Sequence, residues 1–333
     1  LNENERLVEI ANKAAIAVPQ VKTIWDALAS EHAKVWVEAL IAEDAKLDSL
    51  EVFLHDIPRS MLLTLGITEQ FIVPSRYVPT AKTLPTGAFD KAKLRKIIQG
   101  HKYAMKKDVH FANTFAATPS LDSSRMTRAE GVGQNLFRLT WDIVSAFQQA
   151  PHVGFGKETG NLLAVRYPKG FEKWCETTGE ELFSILLRNL NGKPDGGRQF
   201  NQFRDRWILM TFNKDGYICT KGKRAPCIFN ITCPKKHKSW ITIHSDDCDA
   251  LGENMESLAL IANKFDKRFG IKYTNPEHML GTVRKRYVKD GVLFEHITQT
   301  GFLKDLWEEH KHLCKPNAAS PDVPFPKGVQ LYV

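Results

Sequence analysis

No apolar run in this chain of 333 residues approaches the roughly 20 residues that a membrane-spanning helix requires. Its opening, Leu1-Asn2-Glu3-Asn4-Glu5, lacks the basic start and apolar middle of a secretory leader. The expectation is an intracellular protein, cytoplasmic or nuclear, neither secreted nor attached to a membrane. The six cysteines, Cys175, Cys219, Cys227, Cys233, Cys248 and Cys314, contain no C-x-x-C pair and sit mostly among apolar neighbours. That argues for free thiols over a disulfide framework or a zinc site. His310-x-His312-x-Cys314 has metal-binding residue types but no second ligand cluster at suitable spacing, so it reads as a polar helix end. There is no internal repeat, which excludes a solenoid, and no protease or integrase signature. Finally, no acid occurs between Lys91 and Lys107, where seven lysines and arginines are interleaved with Ile97, Ile98 and Tyr103. Such a stretch packs through its apolar residues while turning its cations outward, either as a solvated face or toward phosphates.

With 43% hydrophobic residues the chain can bury a substantial core in two or three subdomains. A formal net charge of +8 suits a polyanionic partner. Residues 5 to 55 read as helical, with Trp36, Ala39, Leu40, Leu47 and Leu50 at helical spacing. Strand texture follows from Phe71 to Val78, then turn residues from Pro79 to Gly87. Residues 128 to 140 are mixed, Leu162 to Tyr167 predicts a strand, and Glu180 to Leu190 predicts a helix stopped by Asn191-Gly192. A second helix is predicted over Phe200 to Phe212. Strands then follow at Tyr217 to Cys219, Cys227 to Ile231 and Trp240 to Ile243, the last two as a hairpin across the basic turn Pro234 to Lys238. Met255 to Phe269 predicts an amphipathic helix, Val283 to Tyr287 and Gly291 to Thr298 strands, and Gly301 to Leu313 a final helix. The proline-rich stretch from Pro316 to Pro326 reads as a linker or extended arm.

Two acidic segments about a hundred residues apart carry the chemistry: Trp141-Asp142-Ile143-Val144-Ser145-Ala146-Phe147, and Trp240-Ile241-Thr242-Ile243-His244-Ser245-Asp246-Asp247-Cys248. In each, a carboxylate interrupts or ends a β-branched and aromatic run, the composition of a buried strand whose tip reaches a site. Adjacent carboxylates repel, so holding Asp246 and Asp247 ionised beside apolar strands favours a cation that offsets them. Asp142 on a neighbouring strand would complete a cage for magnesium, as nucleotidyl transfer with two metal ions requires. Without Asp142, the acidic pair reduces to a turn cap.

The order of these segments resembles the reverse transcriptase of copia-type LTR retrotransposons, collinearly from about Ala33 to about Pro324. Ala33 to Leu40, with Glu43 and Leu47, is similar to its leading tryptophan-bearing helix. Arg76-Tyr77-Val78 and Lys93-Leu94-Arg95-Lys96-Ile97 resemble its fingers strands, and Thr114-Phe115-Ala116 its T-F-A signature. Asp142 to Phe147 resembles the first catalytic motif, Arg166-Tyr167-Pro168-Lys169-Gly170-Phe171 the segment ending P-P-G-F, and Leu190-Asn191-Gly192 through Arg198 the second motif. Pro226 to Phe229 resembles the next strand and Ile243-His244-Ser245-Asp246-Asp247 the Y-V-D-D box. Phe269 to Lys272 with Leu280-Gly281-Thr282 is similar to the segments that close the palm, and Ile297-Thr298-Gln299 to the final helical stretch.

The resemblance implies an α+β right-hand polymerase fold: fingers, a palm of antiparallel sheet backed by helices, and a short helical thumb-like end. It divides the chain into a helical leader over 1-70, fingers and palm over 71-283, and a thumb-like or connecting segment with a proline-rich tail over 284-333. It implies an RNA-directed DNA polymerase with an RNA template, a DNA primer and deoxynucleotides, using two Mg2+ ions for which Mn2+ could substitute. Asp142, Asp246 and Asp247 become the catalytic acids, with Ile143 joining them in the metal set. Lys93, Arg95, Ala146, Phe147, Gly192 and Asp195 become nucleotide contacts: Lys93 and Arg95 at the triphosphate, Phe147 under the sugar, Gly192 and Asp195 beneath the templating base. Lys272 becomes a possible general acid. The chain departs from the family where His244-Ser245 replaces Tyr-Val, where Asp195 replaces glutamine and where Gly197 replaces proline. It also stops near where a ribonuclease H region would follow. Two readings therefore stand: a polymerase taken from a longer polyprotein, or an inactive descendant that binds nucleic acid or serves structurally.

Overall fold

Alternation of apolar residues along Trp141-Asp142-Ile143 and Ile241-Thr242-Ile243 builds the sheet around which everything else is arranged. A computed structural model describes residues 21–83, 89–101, 104–152, 162–279 and 282–313. Within them the fold is mixed α+β, with three sheets. The expected proline-rich arm, Cys314, Lys102, Tyr103, the Leu280-Gly281 segment, the turn near Gly87 and the first twenty residues of the leader lie outside the described residues.

The described residues open with α1 (Ile24–Leu28) and α2 (Ala33–Ser49), then β1 (Phe53–Pro58) and α3 (Arg59–Thr64). β2 (Ile72–Thr83) and β3 (Phe89–Ile98) form an antiparallel pair, followed by α4 (Leu121–Gly133), β4 (Phe137–Ile143) and α5 (Ala146–Gln149). β5 (Ala164–Arg166) and β6 (Leu182–Leu186) complete a five-stranded sheet in the order β1-β6-β5-β2-β3. α6 (Gly196–Lys214) leads to β7 (Ile218–Lys221), β8 (Ile228–Thr232), β9 (Lys238–His244) and β10 (Asp247–Gly252). After α7 (Met255–Phe269), β11 (Ile271–Tyr273) closes a six-stranded sheet in the order β11-β4-β10-β9-β8-β7. β12 (His278–Met279), β13 (Thr282–Lys289) and β14 (Val292–Thr298) make the third sheet, and α8 (Thr300–His310) runs into a closing 3-10 turn over Lys311–Leu313.

The six-stranded sheet has two unlike faces because strand side chains alternate. Trp141, Ile143, Phe229, Ile231, Ile241, Ile243, Cys248 and Ala250 are buried on one face against Phe200, Ile208 and Phe212 of α6 and Leu258, Ile261, Phe265 and Phe269 of α7. Trp207 of α6 meets Phe265 and Phe269 edge-on, with centroids 5.1 and 4.8 Å away. α7 is punctuated as its sequence dictates: Asn254 accepts from the Ser257 amide at 2.9 Å, and Gly270 with φ +67° ends the helix. The opposite face of the sheet carries Arg138, Thr140 and Asp142 of β4 together with Asp247 and Asp249 of β10.

Four expected elements come out differently. The turn expected from Pro79 to Gly87 is strand as far as Thr83, because β2 stays paired with β3. Glu180 to Leu190, expected as a helix, contains β6, whose Phe183, Ser184, Ile185 and Leu186 are all buried between β1 and β5. A continuous apolar run this short satisfies either period, and pairing on both edges decides for strand. The leading helix does not continue to residue 55: α2 ends at Ser49, and Phe53 begins a strand that pairs with β6. The expected leader over 1-70 thus contributes an edge strand to the five-stranded sheet. The mixed segment before Asp142 opens with a full helix, α4, capped by the Ser120 side chain accepting from the Ser123 amide at 3.0 Å.

Candidate active site

β4 lies between β10 and β11, and this places three charged residues in one row. Asp142 is directly opposite Asp247 on β10 and directly opposite Lys272 on β11. Directly opposed residues of antiparallel strands project to the same face with Cα atoms about 4.5–5.5 Å apart. The carboxylates of Asp142 and Asp247 therefore share a face, with the exposed Lys272 flanking them. Asp246 sits in the two-residue turn between β9 and β10, and its carbonyl accepts from the Ile143 amide at 3.0 Å. Ser245, the first turn residue, is left-handed at φ +59°, the conformation that lets two strands reverse in so few residues.

The turn is clamped from below. Arg204 of α6 is 1% exposed and its Nη1 donates to the Ser245 carbonyl at 2.8 Å and to Asn201 Oδ1 at 3.0 Å. Its charge is met by Asp205, which also accepts from Lys221 at 2.6 Å. Asn201 in turn donates to the Ala117 carbonyl at 3.1 Å, so the loop after Thr114-Phe115-Ala116 is fastened to the same helix.

The acids feel one another. Burial pushes the Asp142 carboxyl up to about 6, aided by the charges of Asp246 and Asp247, while Lys272 and Lys93 pull it back. Asp247 is raised by burial and by Asp246, with His244 opposing. Asp142 Oδ1 is buried with no hydrogen-bond partner. A half-buried acid pair with an orphaned oxygen and too little compensating charge is the donor set that a hard divalent cation satisfies. Among the described residues no three His, Cys, Asp or Glu side chains already close on one metal position. The residues fit such an ion in charge and in ligand type, and Asp142, Asp246 and Asp247 are the ones that would hold it.

The other expected site residues divide into two groups. Lys93 and Arg95 project from the face of β3 opposite to the buried Leu94 and Lys96. Lys93 lies close enough to lower the Asp142 pKa, and burial together with the Arg95 charge lowers its own. Ile143 has its side chain in the core. Ala146 is buried at the start of α5, and Phe147 packs edge-on against Phe200 with centroids 6.2 Å apart. Gly192 and Asp195, by contrast, are engaged with protein. Gly192 has φ +86°, and a Cβ there would lie 2.0 Å from the Ile98 carbonyl, so only glycine lets this loop dock on the end of β3. Asp195 is buried and accepts from Lys193 Nζ and from Gln199 at 2.7 Å. The negative charge of Asp195 is thus offset by Lys193, two residues before it in the same motif.

A second buried charge cluster supports the acid-bearing face from its other end. Asp249, two residues after Asp247, takes a bidentate pair from Arg138 at 2.9 and 2.8 Å and a third bond from Arg284 of β13 at 2.8 Å. Arg138 also donates to Glu295 of β14 at 3.0 Å, which ties the third sheet to the acidic one. Neither Arg204 nor Asp249 was among the expected site residues, although each interrupts an apolar pattern. Arg204 stands between Phe200, Ile208 and Phe212 at four-residue spacing, and Asp249 between Cys248 and Ala250. No protein-family profile and no curated protein matches the chain.

Proposed function

We propose that the chain is an RNA-directed DNA polymerase of the copia reverse transcriptase type, with a right-hand arrangement of fingers, palm and thumb-like end. The observation that carries this reading is the pairing of Asp142 with Asp247 across one ladder, with Asp246 at the adjoining turn. In this reading the five-stranded sheet serves as fingers, the six-stranded sheet with α6 and α7 as palm, and the third sheet with α8 leads into the thumb-like end. Bound magnesium would lower the pKa of a primer hydroxyl and neutralise charge on the departing pyrophosphate.

The chain's own residues do the rest. Asp142 and Asp247 present ionised oxygens from rigid, directly paired strands, so their separation is fixed by backbone geometry and not by loop closure. Lys93 and Arg95, on the outward face of β3, supply cations for the triphosphate. Phe147, braced by Phe200, offers a flat wall beside the sugar that would exclude a 2′-hydroxyl. Lys272, opposite Asp142, is positioned to hold or release a proton near the leaving group. The basic surface and the formal charge of +8 draw in template and primer.

A second reading, a descendant that binds nucleic acid without catalysis, is favoured by His244-Ser245 before the acidic pair and by the glycine-rich second motif with Gly197. Primer extension on an RNA template in magnesium, comparing the native chain with Asp142→Asn, separates the two. Extension by the native chain that the variant loses supports the polymerase. Salt-sensitive RNA binding with no extension by either supports the binding protein.

No helix among the described residues is long and apolar enough to cross a membrane.

A further inference from the structure

On the buried side of β3, away from Lys93 and Arg95, a cavity of about 390 Å³ opens between α2, β1, β2, β3 and the loop after β5. Lys96 lines it and is 4% exposed. Its Nζ stands over the rings of Phe53, Tyr167 and Tyr77 at 4.9, 5.4 and 5.8 Å, and among the described residues it has no hydrogen bond and no ion pair. The carboxylates close by are turned to other groups. Asp44 accepts from the Tyr77 hydroxyl at 2.7 and 2.9 Å, and Asp56 accepts from the Tyr167 hydroxyl at 2.7 Å and from Lys173 at 3.1 Å. Asp48 uses one oxygen on His55 at 2.9 Å, which leaves its other oxygen open.

Ring faces favour a cation but supply no acceptor, and among the described residues no protein group accepts from the Lys96 ammonium. Burial lowers the basicity of this amine, with the charges of Asp44, Asp48 and Glu43 opposing and that of Lys173 adding to it. The cavity thus combines aromatic walls, a buried lysine that no described protein group accepts from and, at its mouth, the exposed Asp48 carboxylate with one oxygen free of protein donors. Asp44, Asp48 and Asp56 against Lys96 and Lys173 leave its charge nearly balanced, slightly negative. A phosphate would meet the carboxylates. A neutral planar heterocycle with an acceptor edge next to a donor edge would meet both needs and stack on the rings. Guanine has that pattern: O6 and N7 accept from a lysine, and N1–H and N2–H donate side by side to a carboxylate.

We propose that this cavity binds an unpaired guanine base, with Lys96 donating to its O6/N7 edge, Asp48 accepting from its N1–H/N2–H edge, and the sugar left outside. The site is separate from the acidic ladder and does not depend on whether that ladder polymerises. It would let the protein hold a guanine that is extruded from, or lies at the end of, a nucleic-acid strand.

The test is binding of free guanosine to the full chain, followed by calorimetry or saturation-transfer NMR, with inosine, adenosine and cytidine as comparators. Guanosine is expected to bind saturably. Inosine, which lacks the N2 amine, should bind roughly tenfold more weakly, and adenosine and cytidine should bind more weakly still. Lys96→Met should reduce guanosine binding about tenfold or more, with native circular dichroism retained. Asp48→Asn, on an exposed helix position that leaves the core intact, should abolish the preference for guanosine over inosine. The proposal is overturned by absence of saturable guanosine binding, by equal binding of adenosine, or by a folded Lys96→Met chain that binds as the native does. If Lys96→Met does not fold, a guanosine preference that survives in Asp48→Asn overturns it equally.

Discussion

The guanidinium of Arg204, buried in the middle of α6, donates to the carbonyl of Ser245 at 2.8 Å and so fastens the turn that carries Asp246 to the helix beneath it. Removing this guanidinium leaves the Ser245 carbonyl without its donor and Asp205 with Lys221 alone. Arg204→Met should therefore cost about 3–5 kcal/mol in urea unfolding, the usual penalty for stripping one partner from a buried pair. An unfolding midpoint equal to that of the native chain would show that the clamp carries no energy.

The raised Asp142 carboxyl makes stability depend on pH with a definite sign. Its pKa rises from 3.8 to about 6 on folding, so the folded chain holds this proton more tightly than the unfolded one does. The favourable contribution is complete below about pH 4 and is lost as pH rises through about 6. Asp142→Asn should then stabilise the chain at pH 7.5 in EDTA by about 1 kcal/mol, a figure already reduced for solvent screening at this half-buried site. Magnesium should stabilise the native chain and not the variant. Melting curves with and without the ion decide this, and a variant stabilised equally by magnesium counts against the acid as a ligand.

Asp249 is the shared acceptor of Arg138 and Arg284. Asp249→Ala would leave two buried guanidiniums short of their counter-charge, at a cost of about 3–5 kcal/mol. Because Arg284 belongs to β13, the loss should appear first as faster amide exchange in β13 and β14. Uniform loosening of the whole chain would argue against a specific tie between the third sheet and the acid-bearing one.

Gly192→Ala puts a methyl group 2.0 Å from the Ile98 carbonyl at a backbone angle of φ +86°. Backbone cannot yield as a flexible side chain does, so destabilisation above about 3 kcal/mol is expected. A soluble variant with a native melting temperature would mean that the loop can dock otherwise.

If the chain polymerises, Phe147→Ala should raise ribonucleotide incorporation relative to deoxynucleotide. It should also lose some stability, because the ring packs on Phe200. Unchanged sugar selectivity in a folded variant would remove Phe147 from the sugar contact.

Much of this architecture is legible residue by residue. Asn254 and Gly270 mark the ends of α7, and Ile241 with Ile243 gives β9 its buried face, because capping and period-two burial are local. Leu182 to Leu186 is not legible in this way: five apolar or small residues suit either a helix or a strand, and β1 and β5 on its flanks settle the matter. Gly192 and Asp195 stand out in the sequence as a glycine-rich motif, yet their visible work is docking on Ile98 and pairing with Lys193. Lys96 is one more cation in a basic run until the strand's alternation turns it inward, away from Lys93 and Arg95.

The sequence alone determined where the charges lie relative to the apolar runs: three carboxylates at their edges, a lysine-rich stretch, and the helices that cover the sheet. Capping residues and apolar periodicity mark most of those elements locally, whereas a run such as Leu182 to Leu186 takes its form from the strands beside it. Only the tertiary structure decided that Asp142 lies opposite Asp247, that Arg204 reaches the turn at Ser245, and that Lys96 is enclosed by three rings. Each of these joins segments far apart in sequence, where strand register and helix packing fix the geometry and no local pattern encodes it.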